Sequence, residues 1–132
     1  MMPKFRCFDK DTKTMHGVVS IDFRDWRVYY EAYGLRSYWN KNIVLMQSTG
    51  IKDKNGVEIY EGDILKLHAI FLAPDDKIGY LEYYPKYGYS IIFEGNRLYR
   101  QKYWASTNKL NYEVIGNIYE NPELLREDTK ND

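Results

Sequence analysis

The sequence predicts a mostly β protein with minor α content, on three observations. Aromatic residues make up 17% of the chain, with 14 tyrosines supplying most of them, and such side chains suit the pleated, half-buried surface of a sheet. Short alternating or apolar runs recur along the whole length, each bounded by Gly, Asn, Asp or Pro. Helical signals are confined to two short stretches.

Taken in order, Lys4 to Asp9 (KFRCFD) alternates and reads as a first strand, with Phe5 and Cys7 on one side and Arg6 and Phe8 on the other. Asp9 to Lys13 is polar and turn-like, and His16 to Phe23 resumes the strand pattern. Between Asp25 and Gly34 the period changes. Trp26, Tyr29, Tyr30 and Tyr33 fall at i, i+3, i+4 and i+7, the stripe of a short helix that Asp25 would cap and Gly34 would end. The aromatic and β-branched content there argues equally for a strand. Ile43 to Met46 is a compact apolar run, read as a buried strand.

Asn55-Gly56 is the clearest local signal, because this pair supports positive φ at both central positions of a two-residue hairpin turn. Glu61-Gly62-Asp63 predicts a second tight turn, Ile64 to Leu72 a strand, and Pro74-Asp75-Asp76 its end. Ile78 to Tyr84 and Tyr89 to Phe93 read as two strands joined near Pro85–Gly88. A turn at Glu94-Gly95-Asn96 then opens a less regular stretch to Lys109. Tyr112 to Tyr119 is the last strand. Asn121 as cap, Pro122 in the first turn and Glu123 at the positive end of the dipole predict a short C-terminal helix. The polar tail from Arg126 to Asp132 is expected to fray.

A chain of 132 residues is one domain of ordinary size. Nineteen basic residues balance nineteen acidic ones, which excludes a globally basic nucleic-acid coat and an acidic disordered tail. Cys7 is the single cysteine and cannot form an internal bridge, so a reducing cytoplasm is expected. No apolar run is long enough for a signal peptide or for the roughly 18 residues of a membrane-spanning helix.

Motifs that carry chemistry are missing. His16 and His68 are far apart with no ligand spacing around them. Asp53-Lys54-Asn55-Gly56 brings its glycine too early for a calcium loop. No glycine-rich phosphate loop and no framed nucleophile is present. Glu58, Glu61 and Asp63 cluster in sequence, but acids beside tight turns more commonly bind backbone amides. No catalytic residue, metal or cofactor is therefore expected.

One segment stands out by charge. From Tyr84 to Tyr112, Lys86, Arg97, Arg100, Lys102 and Lys109 meet Glu94 alone, five minus one or plus four. Eight aromatic residues are interleaved with them, a combination that single-stranded nucleic acid uses, phosphates on the cations and bases on the rings. Arg97, Tyr99, Arg100, Lys102, Tyr103 and Trp104 are the candidate partner-binding residues. The C-terminal segment from Glu113 onward is acidic and can oppose this charge.

Two long segments also carry a resemblance. Leu45-Met46-Gln47-Ser48-Thr49-Gly50-Ile51-Lys52-Asp53-Lys54-Asn55-Gly56-Val57-Glu58-Ile59-Tyr60-Glu61-Gly62-Asp63-Ile64 is similar to the central signature of the YopX-like phage and prophage proteins. The segment from Tyr112 to Leu125 resembles their C-terminal signature, and Lys4 to Asp9 their opening strand, with Cys7 where alanine is more usual. The resemblance implies a single domain over residues 1–132. Within it, N-terminal strands span 1–50, an SH3-like barrel or roll spans about 51–120, and a short helix and tail span 121–132. It supplies no catalytic residues. The expected function is a non-enzymatic interaction module in the cytoplasm of the bacterial host, binding an unknown protein partner or associating with itself as a homo-oligomer. The alternatives are a nucleic-acid-binding protein using the basic-aromatic segment, and a small hydrolase with no recognisable motif. No membrane or small-molecule partner is inferred.

Overall fold

The computed structural model describes residues 4–31, 35–39, 42–68, 76–105 and 112–125, with 31 and 35–39 given by their backbone. The protein is mostly β, with antiparallel pairing throughout its described ladders. It divides into two compact units, residues 1–48 and 49–132.

In the first unit, β1 (Phe5–Asp9), β2 (Thr14–Asp22), β3 (Arg27–Glu31), β4 (Leu35–Trp39) and β5 (Ile43–Lys52) lie in the order β4-β3-β2-β1-β5. Cys7, Val28, Tyr30 and Ile43 form its buried core, with Val18 and Leu45 packed against them. The helix considered for Asp25–Gly34 is absent. Arg27–Glu31 is strand β3, and Phe23–Trp26 is the turn that feeds it. Val28 and Tyr30 are buried while Arg27 and Tyr29 are half-buried. That alternation of two prevails because β3 pairs with both β2 and β4, whereas a helical stripe leaves Val28 out. Tyr33 and Gly34 lie outside the described residues.

Asp9 is fully buried yet well supplied with donors. Its Oδ1 accepts the Asp11 N–H (2.9 Å) and Thr12 N–H (3.3 Å), and its Oδ2 accepts the Tyr30 hydroxyl at 2.6 Å. Burial alone would raise this carboxyl. The bonds from Tyr30, Asp11 and Thr12 outweigh it and hold Asp9 below its ordinary value. A depressed carboxylate stabilises the fold above the unfolded pKa of about 3.9 and stops doing so as pH falls through the folded value. Tyr30→Phe should therefore cost about 1–2 kcal/mol at pH 7 and clearly less at pH 3, read from urea titrations at both. An equal cost at the two values would contradict the pairing.

The second unit takes up the far end of β5, with β6 (Glu58–Tyr60) beside it. It adds β7 (Asp63–Leu67), β8 (Lys77–Tyr84), β9 (Gly88–Phe93), β10 (Arg97–Tyr99), the single helical turn α1 (Gln101–Trp104) and β11 (Tyr112–Asn117). Their sheet order is β10-β9-β8-β7-β11. Ile59, Leu65, Leu81, Ile91, Trp104 and Tyr112 make its core. The stretch expected to be irregular after Asn96 holds both β10 and α1, while Lys109 lies outside the described residues. Of the strand expected over Ile64–Leu72, β7 supplies the part to Leu67. Ala69–Leu72, Pro74 and Asp75 lie outside the described residues.

The Asn55-Gly56 turn forms, but not as a two-residue loop with both φ values positive. Gly56 takes φ 80° and Asn55 stays negative. Gly56 N–H donates to Asp53 O (3.0 Å) and Asp53 N–H to Val57 O (2.8 Å), a type I turn followed by a left-handed glycine. Asp53, 4% exposed, selects this form. Its Oδ1 accepts the Asn55 and Val57 N–H groups and its Oδ2 accepts Val114 N–H on β11, each at 2.8 Å. Gly62 (φ 82°) makes the second expected turn, donating to Leu81 O and accepting from Ile118 N–H, both at 2.9 Å. Residues 123–125 are helical, as Asn121-Pro122 suggested, but the Asn121 side-chain oxygen turns back to accept Asn117 N–H at 3.2 Å. The tail 126–132 lies outside the described residues.

Candidate interaction surface

The six candidate residues separate into a core group and a surface group. β10 leaves β9 after the Tyr99–Ile91 pair, so among the described residues no strand lies beside the outer edge of β9 at Tyr89. An uncovered edge invites pairing with another chain. Here α1 covers it with side chains: Tyr89 N–H donates to Gln101 Oε1 at 2.8 Å, and Trp104 Nε1–H donates to Tyr89 O at 2.7 Å. Trp104 is fully buried, edge-on to Tyr112 at 5.5 Å. It belongs to the core, so it is no stacking platform in the folded protein. Tyr99 is half-buried and leans on Phe93 at 6.3 Å.

The surface group lies around the β8–β9 turn. Tyr87 N–H donates to Tyr84 O at 3.1 Å and fixes that turn. The Arg100 guanidinium sits 4.2 Å over the Tyr87 ring, with the Lys86 ammonium 5.5 Å from the same ring. Lys102 lies 5.0 Å over Tyr103, whose side chain is half exposed. Arg97 is exposed on β10 but pairs with Phe93, at the end of β9 away from the β8–β9 turn, so it lies apart from this group. A guanidinium stacked on an aromatic face keeps its N–H edge open to a carboxylate or phosphate, and the ring lowers the cost of holding the cation in place. The sequence missed Lys86 and Tyr87 as partners of Arg100. Their charge and ring were visible, but only the α1–β9 clamp brings them together.

Other chemical candidates are engaged in the fold. Asp63 is buried and its Oδ2 accepts Tyr60 N–H at 2.8 Å. Glu58 and Glu61 are half-buried. His16 stacks on Tyr30 at 4.2 Å and lies 2.6 Å from the Thr14 hydroxyl. His68 Nε2 stands 2.7 Å from Glu113 Oε1. That contact, opposed by partial burial and aided by Lys54, holds the Glu113 carboxyl below its ordinary value. Burial, with Asp9 beside it, pushes the Cys7 thiol up to about 12, which leaves no thiolate at neutral pH. Among the described residues no three His, Cys, Asp or Glu converge as metal ligands, and no helix is long and apolar enough to cross a membrane.

Fold and surface together define a class: a small, two-unit antiparallel β protein whose second unit displays a cationic-aromatic face at one hairpin end. The chain belongs to the YopX protein family, whose model matches residues 4–126. It is also similar to protein EF1440 from Enterococcus faecalis, known from a crystal structure. The two share 30% identity with a TM-score of 0.62, over 95% of this chain and 99% of that one. No curated protein matches.

Proposed function

We propose that this chain is a non-enzymatic interaction module, phage- or prophage-encoded and acting in the cytoplasm of a bacterial host. In this reading it engages an anionic partner through Lys86, Tyr87, Arg100, Lys102 and Tyr103. The observation that carries the reading is the stacking of Arg100 on Tyr87 at 4.2 Å, held by the α1 clamp on Tyr89. It presents a cation preorganised for an oxyanion, at little further entropic cost on binding. Family membership adds support, since what the YopX resemblance implies includes no catalytic residue. An acidic protein segment satisfies the charges. Single-stranded nucleic acid is the second reading, favoured by the half-exposed Tyr103 beside Lys102.

Fluorescence anisotropy with a labelled oligothymidylate of about 15 nucleotides, a polyglutamate peptide and a neutral peptide tests both readings. At low salt the two polyanions should bind and the neutral peptide should not. Arg100→Glu should weaken binding by roughly tenfold or more. A clear preference for the oligonucleotide selects nucleic acid, and no binding of either polyanion at low salt rejects the surface.

A further inference from the structure

The tip of the β2–β3 hairpin is the most exposed aromatic feature among the described residues. Phe23 is 69% exposed and Trp26 59%, their rings edge-to-face at 6.5 Å. The tip is rigidly built, because Asp22 Oδ1 accepts both Arg24 N–H (2.9 Å) and Asp25 N–H (3.2 Å). Trp26 stands at φ 55°, in the left-handed region where Gly or Asn is at ease and a bulky side chain is strained. The fold gains little burial from this ring in return. A turn chosen for folding alone would carry a small residue here.

We propose that this tip is a self-association element, docking against the same tip of a second copy about a two-fold axis. The charges favour that occupant. Arg24 and Asp25 stand exposed between the two rings, and among the described residues neither forms an ion pair within its own copy. A two-fold contact is self-complementary, so Arg24 of each copy meets Asp25 of the other while Phe23 packs against Trp26. A polyanion finds no net positive charge at this neutral tip. A bilayer would have to accept Arg24 and Asp25 together with the rings. Two rings a side are a small contact, so the association is weak and appears at high protein concentration.

Sedimentation velocity up to about 300 µM protein tests this. The wild-type protein should associate as concentration rises. Phe23→Ser and Trp26→Gly should each weaken association by about tenfold or more. Trp26→Gly should leave the thermal midpoint unchanged or raised, since glycine relieves the left-handed strain. Arg24→Asp should also weaken association by placing acids opposite acids, and the double exchange Arg24→Asp with Asp25→Arg should restore it. Any of four results overturns the proposal: a wild-type monomer over the whole range, tip variants that associate as the wild type does, a double exchange that fails to restore association, or tip-dependent binding to phosphatidylcholine vesicles in place of self-association.

Discussion

Asp53→Ala should destabilise the protein by about 3–5 kcal/mol, the largest loss expected of any single polar substitution here. The carboxylate is buried and accepts three backbone N–H groups, two in its own turn and one from Val114 on β11. Alanine leaves all three donors poorly served. The Val114 amide leaves β11, the last strand of its sheet, on the side facing Asp53, and without the carboxylate it loses the acceptor it has there. Asp53→Asn keeps the shape but turns an NH2 group toward at least one donor, and should cost about 2–3 kcal/mol. Urea unfolding followed by circular dichroism measures both. Amide exchange should quicken at Val57 and Val114 before it quickens at Ile64 or Leu81. Losses under about 1 kcal/mol for Asp53→Ala would show that the three bonds do not govern this region.

The second large effect is at Trp104. Trp104→Ala removes a fully buried indole and its bond to Tyr89 O, and should cost about 3–5 kcal/mol. Trp104→Phe keeps a ring against Tyr112 but orphans the Tyr89 carbonyl, at about 1–3 kcal/mol. Both changes should weaken partner binding, but through the fold: loosening α1 releases Arg100 from Tyr87. Measured together, stability and affinity should fall in step. Full thermal stability with binding lost would instead put Trp104 in direct contact with the partner.

These two residues show where the sequence stops being informative. β1, β2, β7, β8, β9 and β11, the Gly62 turn and the β8–β9 hairpin were legible because each is specified within a few neighbouring residues, whereas β4 and β10 were not read as strands. Asn55-Gly56 marked its turn correctly. The loop type, however, is set by Asp53, whose second oxygen serves a strand far along the chain. Trp26, Tyr29, Tyr30 and Tyr33 mimic a helical stripe because 3.6-residue and two-residue periods overlap in so short a window. Val28 and Tyr30, two apart and both buried, carried the strand signal. The candidate surface was half legible. Its cations were visible as a local charge excess, but rings bound for the core and rings bound for the surface look alike in sequence. Only the open edge of β9, and the need to cover it, decides that Trp104 turns inward while Tyr103 stays outside.

The most direct test of the cationic-aromatic surface is the salt dependence of oligothymidylate affinity for the wild type and Arg100→Gln. The affinity should fall by roughly tenfold or more between about 50 and 200 mM salt. In Arg100→Gln the slope of log affinity against log salt should shrink by about 0.7, the share of one phosphate contact on a single strand. No detectable binding of oligothymidylate or of polyglutamate at the lowest salt, or an unchanged slope with Arg100 removed, would contradict it.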